Sequence, residues 1–272
     1  MKKFIKLKHY LKSKLYFYSY KKEIERIGNN TLSVVFSTIQ QVKNNQYSEK
    51  DLSIFSNLNS YRKYLKENEQ LIDYSIFNSK SRVVKEIYQS ASSPEIWSRF
   101  HYLLTKNFNT KNYLEIGTNL GVSGSYILSA LKEVDDSKFI TMEGVPALCK
   151  LADKQFQTIT DTSKFEVICG LYEDTFPELE KKPLQFDVFF IDGNHHYEPT
   201  LQYFRSLKTK AKSKAIFIFD DIYWTSEMTK VWNEIKEDTD INFALDLYKM
   251  GIVIIDKNEM NRNTKFNLFL TR

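Results

Sequence analysis

The segment Tyr113-Leu-Glu-Ile-Gly-Thr-Asn-Leu-Gly-Val-Ser-Gly124 decides how this chain is read. A short apolar run carries an acid, and glycines at 117, 121 and 124 follow as a helical pattern begins. That pattern predicts a strand whose carboxyl end feeds a loop able to come very close to a ligand. Glycine suits such a loop because it has no Cβ to block the approach and takes positive φ readily. The acid at 115 carries equal weight. A phosphate cradle calls for lysine or bare N–H groups, whereas a carboxylate suits a ligand bearing a cation or free hydroxyls.

Outward from this segment, strand and helix signals alternate. Strands are predicted over 113–116, 138–142, 165–169, 186–191 and 215–219, with helices over 122–132, 147–158, 198–208 and 226–237. Apolar runs separated by helix-length segments mean parallel strands joined by right-handed crossovers. The end differs: 242–247 and 252–256 flank a Tyr-Lys-Met-Gly turn too short for a crossover, so they form a hairpin. The segment 265–270 alternates and suits an edge strand of unassigned position. Upstream, residues 1–92 carry helical periodicity, a single glycine (Gly28) and almost no strand signal, until Ser90-Ala-Ser-Ser-Pro94 breaks the pattern. Pro94 is placed to open a new helix. The division expected is a helical extension, 1–92, and a main domain, 93–272.

Composition bounds the reading. At 272 residues and 42% hydrophobic, the chain can bury one good core plus an appendage. Cys149 and Cys169 lie in apolar patterns without metal-motif spacing, so reduced core thiols and a cytoplasmic protein are expected. No run of eighteen apolar residues appears. The net charge of +5 is unevenly spread: residues 1–22 hold eight lysines and no acid. Apolar residues at 4, 7, 11, 15 and 18 recur there at helical spacing. The reading adopted is a helix packed on its own domain with a solvated lysine face. The alternative is a basic amphipathic helix on an anionic membrane or partner, making the protein peripheral at the inner membrane face. Nucleic-acid binding is not favoured, because no reader motif accompanies the lysines.

In open parallel sheets, ligands sit outside the carboxyl ends of the strands. Acids gather at those ends: Glu115, Glu143, Asp192, and the pair Asp220 and Asp221. Glu143 ends the second strand and can accept hydrogen bonds from both hydroxyls of a nucleoside ribose; the plain alternative is a cap for the next helix. Gly170 ends the third strand, where a base would lie. Asp192 is followed by a glycine turn, His195 and His196. Taken with Asp220 and Asp221, it makes an all-oxygen set suited to Mg²⁺ or a similar divalent cation. The plain alternative is that these aspartates cap the helices that follow.

His195 directly follows the strand-end turn and is the candidate base, while His196, His9 and His101 are expected to be ordinary. An unperturbed His has a pKa of ~6.5, a phenol ~10 and an alcohol, like water, ~15.7. At about 1.36 kcal/mol per unit, His alone faces about 5 kcal/mol against a phenol and about 12 kcal/mol against a sugar-type alcohol. Trp224 either walls a substrate pocket or packs the helix behind it.

The segments LEIGTNLGVSG (114–124), FITMEG (139–144), FDVFFIDGNHHYEPTL (186–201), FIFDDIYWTSEMTKVW (217–232) and DLYKMGIVII (246–255) together resemble class I S-adenosylmethionine-dependent methyltransferases, in the branch related to metal-dependent O-methyltransferases. The resemblance covers about residues 95–256. It implies an α/β Rossmann-like methyltransferase fold, a mostly parallel sheet ending in an antiparallel hairpin. It places Glu115, Gly117, Thr118, Asn119, Gly121, Glu143, Gly170 and Asp192 around S-adenosylmethionine. It also implies Asp192, Asp220 and Asp221 as metal ligands and His195 as the base of sugar O-methyltransferases. Two departures stand out: Asn119 replaces the central glycine of the fuller loop, and Asp221 stands where catechol-type enzymes carry Asn.

The reading is an O-methyltransferase acting on a hydroxyl of a sugar or other small molecule, with a phenol second. An N-methyltransferase is less well matched, since Asp-Gly-Asn-His stands where the N-methylating motif would. A non-catalytic nucleoside-binding module docked by its basic helix is the rival from another class. A homo-oligomer stays open.

Overall fold

A computed structural model describes residues 2–270; Met1, Thr271 and Arg272, the outer ends of the two expected segments, lie outside the described residues. Helices α1 (Lys2–Ile27), α2 (Asn30–Lys43) and α3 (Glu49–Glu67) lead to short strands β1 (Leu71–Ile72) and β2 (Arg82–Val83), then α4 (Val84–Ala91) and α5 (Glu95–Asn107). Alternation follows: β3 (Asn112–Ile116), α6 (Val122–Leu131), β4 (Lys138–Glu143), α7 (Pro146–Gln157), β5 (Phe165–Cys169) and α8 (Tyr172–Lys181). The chain continues through β6 (Phe186–Ile191), α9 (Tyr197–Lys208), β7 (Ala211–Phe219) and α10 (Ser226–Ile235). It closes with β8 (Phe243–Asp246), β9 (Gly251–Asp256) and β10 (Thr264–Asn267).

The chain divides into two compact units, one of residues 44–184 and one of residues 1–43 with 185–272. The helical extension expected over 1–92 is therefore split between them and is not a unit of its own. Residues 71–83, expected to be helical, carry the small antiparallel pair β1–β2.

In the 44–184 unit, β3, β4 and β5 run parallel. Helix α3 starts at a reciprocal cap, with Ser48 Oγ accepting the Asp51 N–H and Asp51 accepting the Ser48 N–H. The other Asp51 oxygen accepts from Tyr102 at 2.9 Å and Lys106 at 2.8 Å, which ties α3 to α5. Gly124 in α6 leaves room for the next helix: a Cβ there would lie 2.6 Å from Phe156 Cζ and 3.0 Å from Phe139. Gly124→Ala should therefore destabilise the fold by about 1–3 kcal/mol, despite alanine's better helix propensity. Urea denaturation measures this, and an unchanged or raised midpoint would contradict the tight packing.

Two features of this unit depart from expectation. Helix α8 fills 172–181, where acids and Pro177 mask the helical pattern. Cys149 and Cys169 are joined by a disulfide, with Cα atoms 6.0 Å apart, and are not reduced thiols. The parallel register sets Cys169 opposite Glu143, and the first turn of α7 brings Cys149 back over that strand end. Sequence spacing alone does not show this meeting. The expectation of a reducing compartment loses its premise.

In the other unit, β6 and β7 are parallel, and β7 and β8 each pair antiparallel with β9. The segment left unassigned enters as β10, parallel to β8. Phe189 stacks on Phe217 at 4.2 Å, and Phe204 meets Phe217 edge-on, so β6 and β7 share one aromatic core with α9. Helix α1 is anchored by His9, whose Nε2 lies 2.7 Å from the Leu268 carbonyl. Asn29 accepts the Leu32 N–H at the start of α2 and donates to Asp256 at the end of β9. Among the described residues no helix is long and apolar enough to cross a membrane. Mostly parallel strands joined by helices and closed by an antiparallel hairpin make this a Rossmann-like methyltransferase fold.

Candidate active site

The glycine loop and its acids lie in the 44–184 unit. After β3, Gly117 has φ 99° and Gly121, which caps α6, has φ 68°; both are left-handed values that side chains resist. The N–H groups of Gly117 and Thr118 both donate to the Met142 carbonyl at 3.0 and 3.1 Å, pinning the loop to β4. Asn119 is also left-handed, and its N–H donates to Glu143 Oε2 at 2.8 Å. The other oxygen of Glu143 accepts the Val145 N–H at 2.9 Å. An ionised carboxylate offers about four acceptor positions, so with the Gly144 N–H also acting on it, acceptor capacity remains for an incoming hydroxyl. Burial raises the Glu143 carboxyl's pKa, while the N–H groups of Val145, Asn119 and Gly144 oppose that shift. Gly170 donates its N–H to the Glu143 carbonyl at 2.9 Å, so the end of β5 joins the same cradle. Asn119 Oδ1 is buried and has no hydrogen-bond partner among the described residues.

Glu115 is fully buried beneath the loop. It accepts from Ser123 of α6 at 2.5 Å and from Thr141 of β4 at 2.7 Å, and Thr141 in turn meets Thr118. The carboxylate therefore fastens loop to helix and strand. Burial pushes its pKa up from 4.5 to about 7. Between those values the folded chain keeps a proton that the unfolded chain releases, so stability falls as pH rises through this window. The loss is nil below 4.5 and about 3 kcal/mol above 7. Glu115→Gln removes the effect, so its melting temperature relative to the parent should rise between pH 4.5 and pH 8. A difference independent of pH contradicts a protonated Glu115.

The remaining candidates lie in the other unit. The Asp220 N–H donates to the Ile191 carbonyl at 3.1 Å, which sets the ends of β6 and β7 side by side. His195 Nε2 lies 3.5 Å from Asp192 Oδ1, and Trp224 meets the His195 ring edge-on at 5.0 Å. Trp224 is 52% exposed and lies beside the His195 ring. Burial lowers the pKa of His195 despite the opposing charge of Asp221, and the Lys249 and His196 charges add to the lowering. Burial thus favours the neutral ring, the form able to accept a proton.

Lys249 completes the cluster. Its Nζ lies 3.0 Å from Asp220 Oδ2 and 2.8 Å from Asp221 Oδ1. Burial raises Asp220 to about 6, with Lys249 pulling it down and Asp221 pushing it up. Burial alone would lower the Lys249 pKa, but the two carboxylates raise it. Among the described residues no three His, Cys, Asp or Glu side chains are grouped to hold an ion, and the adjacent acids Asp220 and Asp221 share the Lys249 ammonium. Asp220 Oδ1 remains buried without a hydrogen-bond partner among the described residues.

Sequence reasoning missed Lys249, although a signal existed. The hairpin pairs Phe219 with Gly251 in antiparallel register, and continuing that register sets 249 opposite 221. His196 is exposed and pairs with Glu227 at 3.3 Å. His101 is buried against the Tyr113 hydroxyl, and burial lowers it to about 3. His9 anchors α1 through the Leu268 carbonyl.

Residues 114–222 match the family model described as a methyltransferase domain. The catechol O-methyltransferase of Niastella koreensis is 28% identical over 125 residues, 46% of this chain and 55% of that protein. The uncharacterized protein R132 of Acanthamoeba polyphaga mimivirus is 27% identical over 138 residues, 46% of this chain and 59% of that one. The chain therefore spans less than two thirds of these relatives' length. The O-methyltransferase from Bacillus cereus in complex with S-adenosylhomocysteine superposes with a TM-score of 0.55 at 19% identity, covering 75% of this chain and 100% of that one. The O-methyltransferase TomG from Streptomyces achromogenes, in complex with S-adenosylmethionine, gives 0.53 at 17% identity, covering 61% and 82%. At such identities these structures establish the fold. The matched segment is thus similar to a methyltransferase domain, and it lies within a chain whose fold is that of the solved O-methyltransferases.

Proposed function

We propose that this chain transfers a methyl group from S-adenosylmethionine to a hydroxyl oxygen of a small molecule. The observation that carries the reading is Glu143, whose carboxylate is held by backbone N–H groups of the glycine loop and of the turn after β4 and keeps acceptor capacity for a ribose hydroxyl. The left-handed turns at Gly117 and Gly121 and the open amide oxygen of Asn119 suit the same ligand. Bound there, S-adenosylmethionine supplies an electrophilic methyl on a sulfonium. Glu115 keeps the loop in shape, and Gly170 contributes backbone where the base would lie.

In the unit of residues 1–43 with 185–272, His195 is the group suited to take a hydroxyl proton, with Asp192 orienting the ring. A divalent cation on Asp192, Asp220 and Asp221 does not fit this arrangement, because it would have to displace Lys249 from two charged contacts. We assign the positive charge of this site to the Lys249 ammonium. That assignment also bears on the acceptor. A neutral imidazole faces about 5 kcal/mol against a phenol but about 12 kcal/mol against an alcohol, and an ammonium closes less of that gap than a divalent metal. A phenolic acceptor therefore ranks above the sugar hydroxyl expected at first.

The test incubates the full chain with methyl-labelled S-adenosylmethionine and a panel of phenols, sugars and amines, with EDTA or with magnesium. Label on a phenolic oxygen at equal rates in both conditions supports the reading. Label on amines alone, or transfer that needs added magnesium, overturns it.

A further inference from the structure

Helix α1 presents two different faces. One is fastened to its own unit: His9, Ser13 and Ile24 are buried, Tyr20 meets Phe266 edge-on at 5.5 Å, and Phe17 lies against Phe36. The opposite face carries Phe4, Leu7, Leu11, Leu15 and Tyr18, each more than half exposed. At about 100° per residue these five fall within about 80° of arc, a continuous apolar stripe along the helix. Exposed lysines border it, Lys8 and Lys12 on one side and Lys14 and Lys21 on the other, and no acid occurs before Glu23.

We propose that this face of α1 is a docking surface for an anionic lipid bilayer, on which the helix lies in the plane of the headgroups. The residue types match that occupant on both counts. Large apolar side chains enter the acyl boundary, while the lysines beside them extend to headgroup phosphates, each adding about 1 kcal/mol near an anionic surface. A second copy of this chain is a poor occupant, because pairing the two stripes would bring like-charged lysine rows together. The helix is too rich in lysine to span the membrane, so docking on the surface is the form that fits.

The test is co-sedimentation of the full chain with vesicles of phosphatidylcholine alone or containing phosphatidylglycerol. At low salt, binding to the anionic vesicles should exceed binding to neutral ones by at least about tenfold and should weaken as salt is raised. The double substitution Leu11→Ser with Leu15→Ser, and the triple Lys8→Gln, Lys12→Gln and Lys14→Gln, should each reduce binding by about tenfold or more. All five side chains are exposed, so circular dichroism and melting temperature should stay unchanged. Equal binding to both vesicle types, or full binding by either variant, overturns the proposal. So does a dimer in light scattering that the leucine substitutions dissolve.

Discussion

His195→Ala should lower the rate of methyl transfer by about 10²–10⁴-fold, the usual contribution of a positioned general base. Affinity for S-adenosylhomocysteine should hold within about twofold, because the cradle is built from Gly117, Asn119, Glu143 and Gly170 and not from this ring. The ring is well prepared for the role. Burial favours the neutral form, Asp192 sits 3.5 Å from Nε2, and Trp224 lines one edge. Single-turnover rates with labelled donor, measured beside calorimetric binding, separate the two effects. A variant that keeps most of its rate would show that another group takes the proton. A variant that loses donor affinity in proportion would show that His195 supports the fold.

Lys249→Ala should produce the other large change. Removing the ammonium leaves Asp220 and Asp221 facing each other, with Asp220 almost wholly buried and one of its oxygens already without a hydrogen-bond partner among the described residues. Breaking a buried ion pair from one side costs about 3–5 kcal/mol; the partial exposure of Asp221 and Lys249 brings the expected loss to about 2–3 kcal/mol. The vacated position is bounded by two adjacent carboxylates, an oxygen set that suits magnesium. Magnesium should therefore raise the melting temperature of the variant by several degrees and leave the parent unchanged. A parent protein stabilised by magnesium to the same degree would show that Lys249 yields to a cation and that the acids are metal ligands after all.

Much of the fold was legible because parallel strands read as unbroken apolar runs. Strands 165–169 and 186–191 coincide with β5 and β6, and the glycine loop and Glu143 stand where alternation put them. Whatever depends on meetings between distant segments was harder to see. Cys149 and Cys169 meet through the register of β4 and β5, and Lys249 reaches Asp221 through the register of β7 and β9. Three acids at strand ends suggest a cation, and only the position of the hairpin turn brings the Lys249 ammonium to two of them. Helix α8 escaped because Pro177 and its acids disguise the period. For α1, the periodicity was plain, but which of its apolar residues face inward was not. The stripe at 4, 7, 11, 15 and 18 looked like a packing face and is the exposed one.

The central claim is that Glu143 and the loop it holds form a nucleoside cradle. Isothermal titration of S-adenosylhomocysteine into the full chain and into Glu143→Ala tests it most directly. Hydrogen bonds to a charged group contribute about 1.5–3 kcal/mol, so the parent should bind measurably and the variant should bind at least about tenfold more weakly, with EDTA altering neither. A parent that takes up no S-adenosylhomocysteine, or a folded variant that binds as tightly as the parent, contradicts the account.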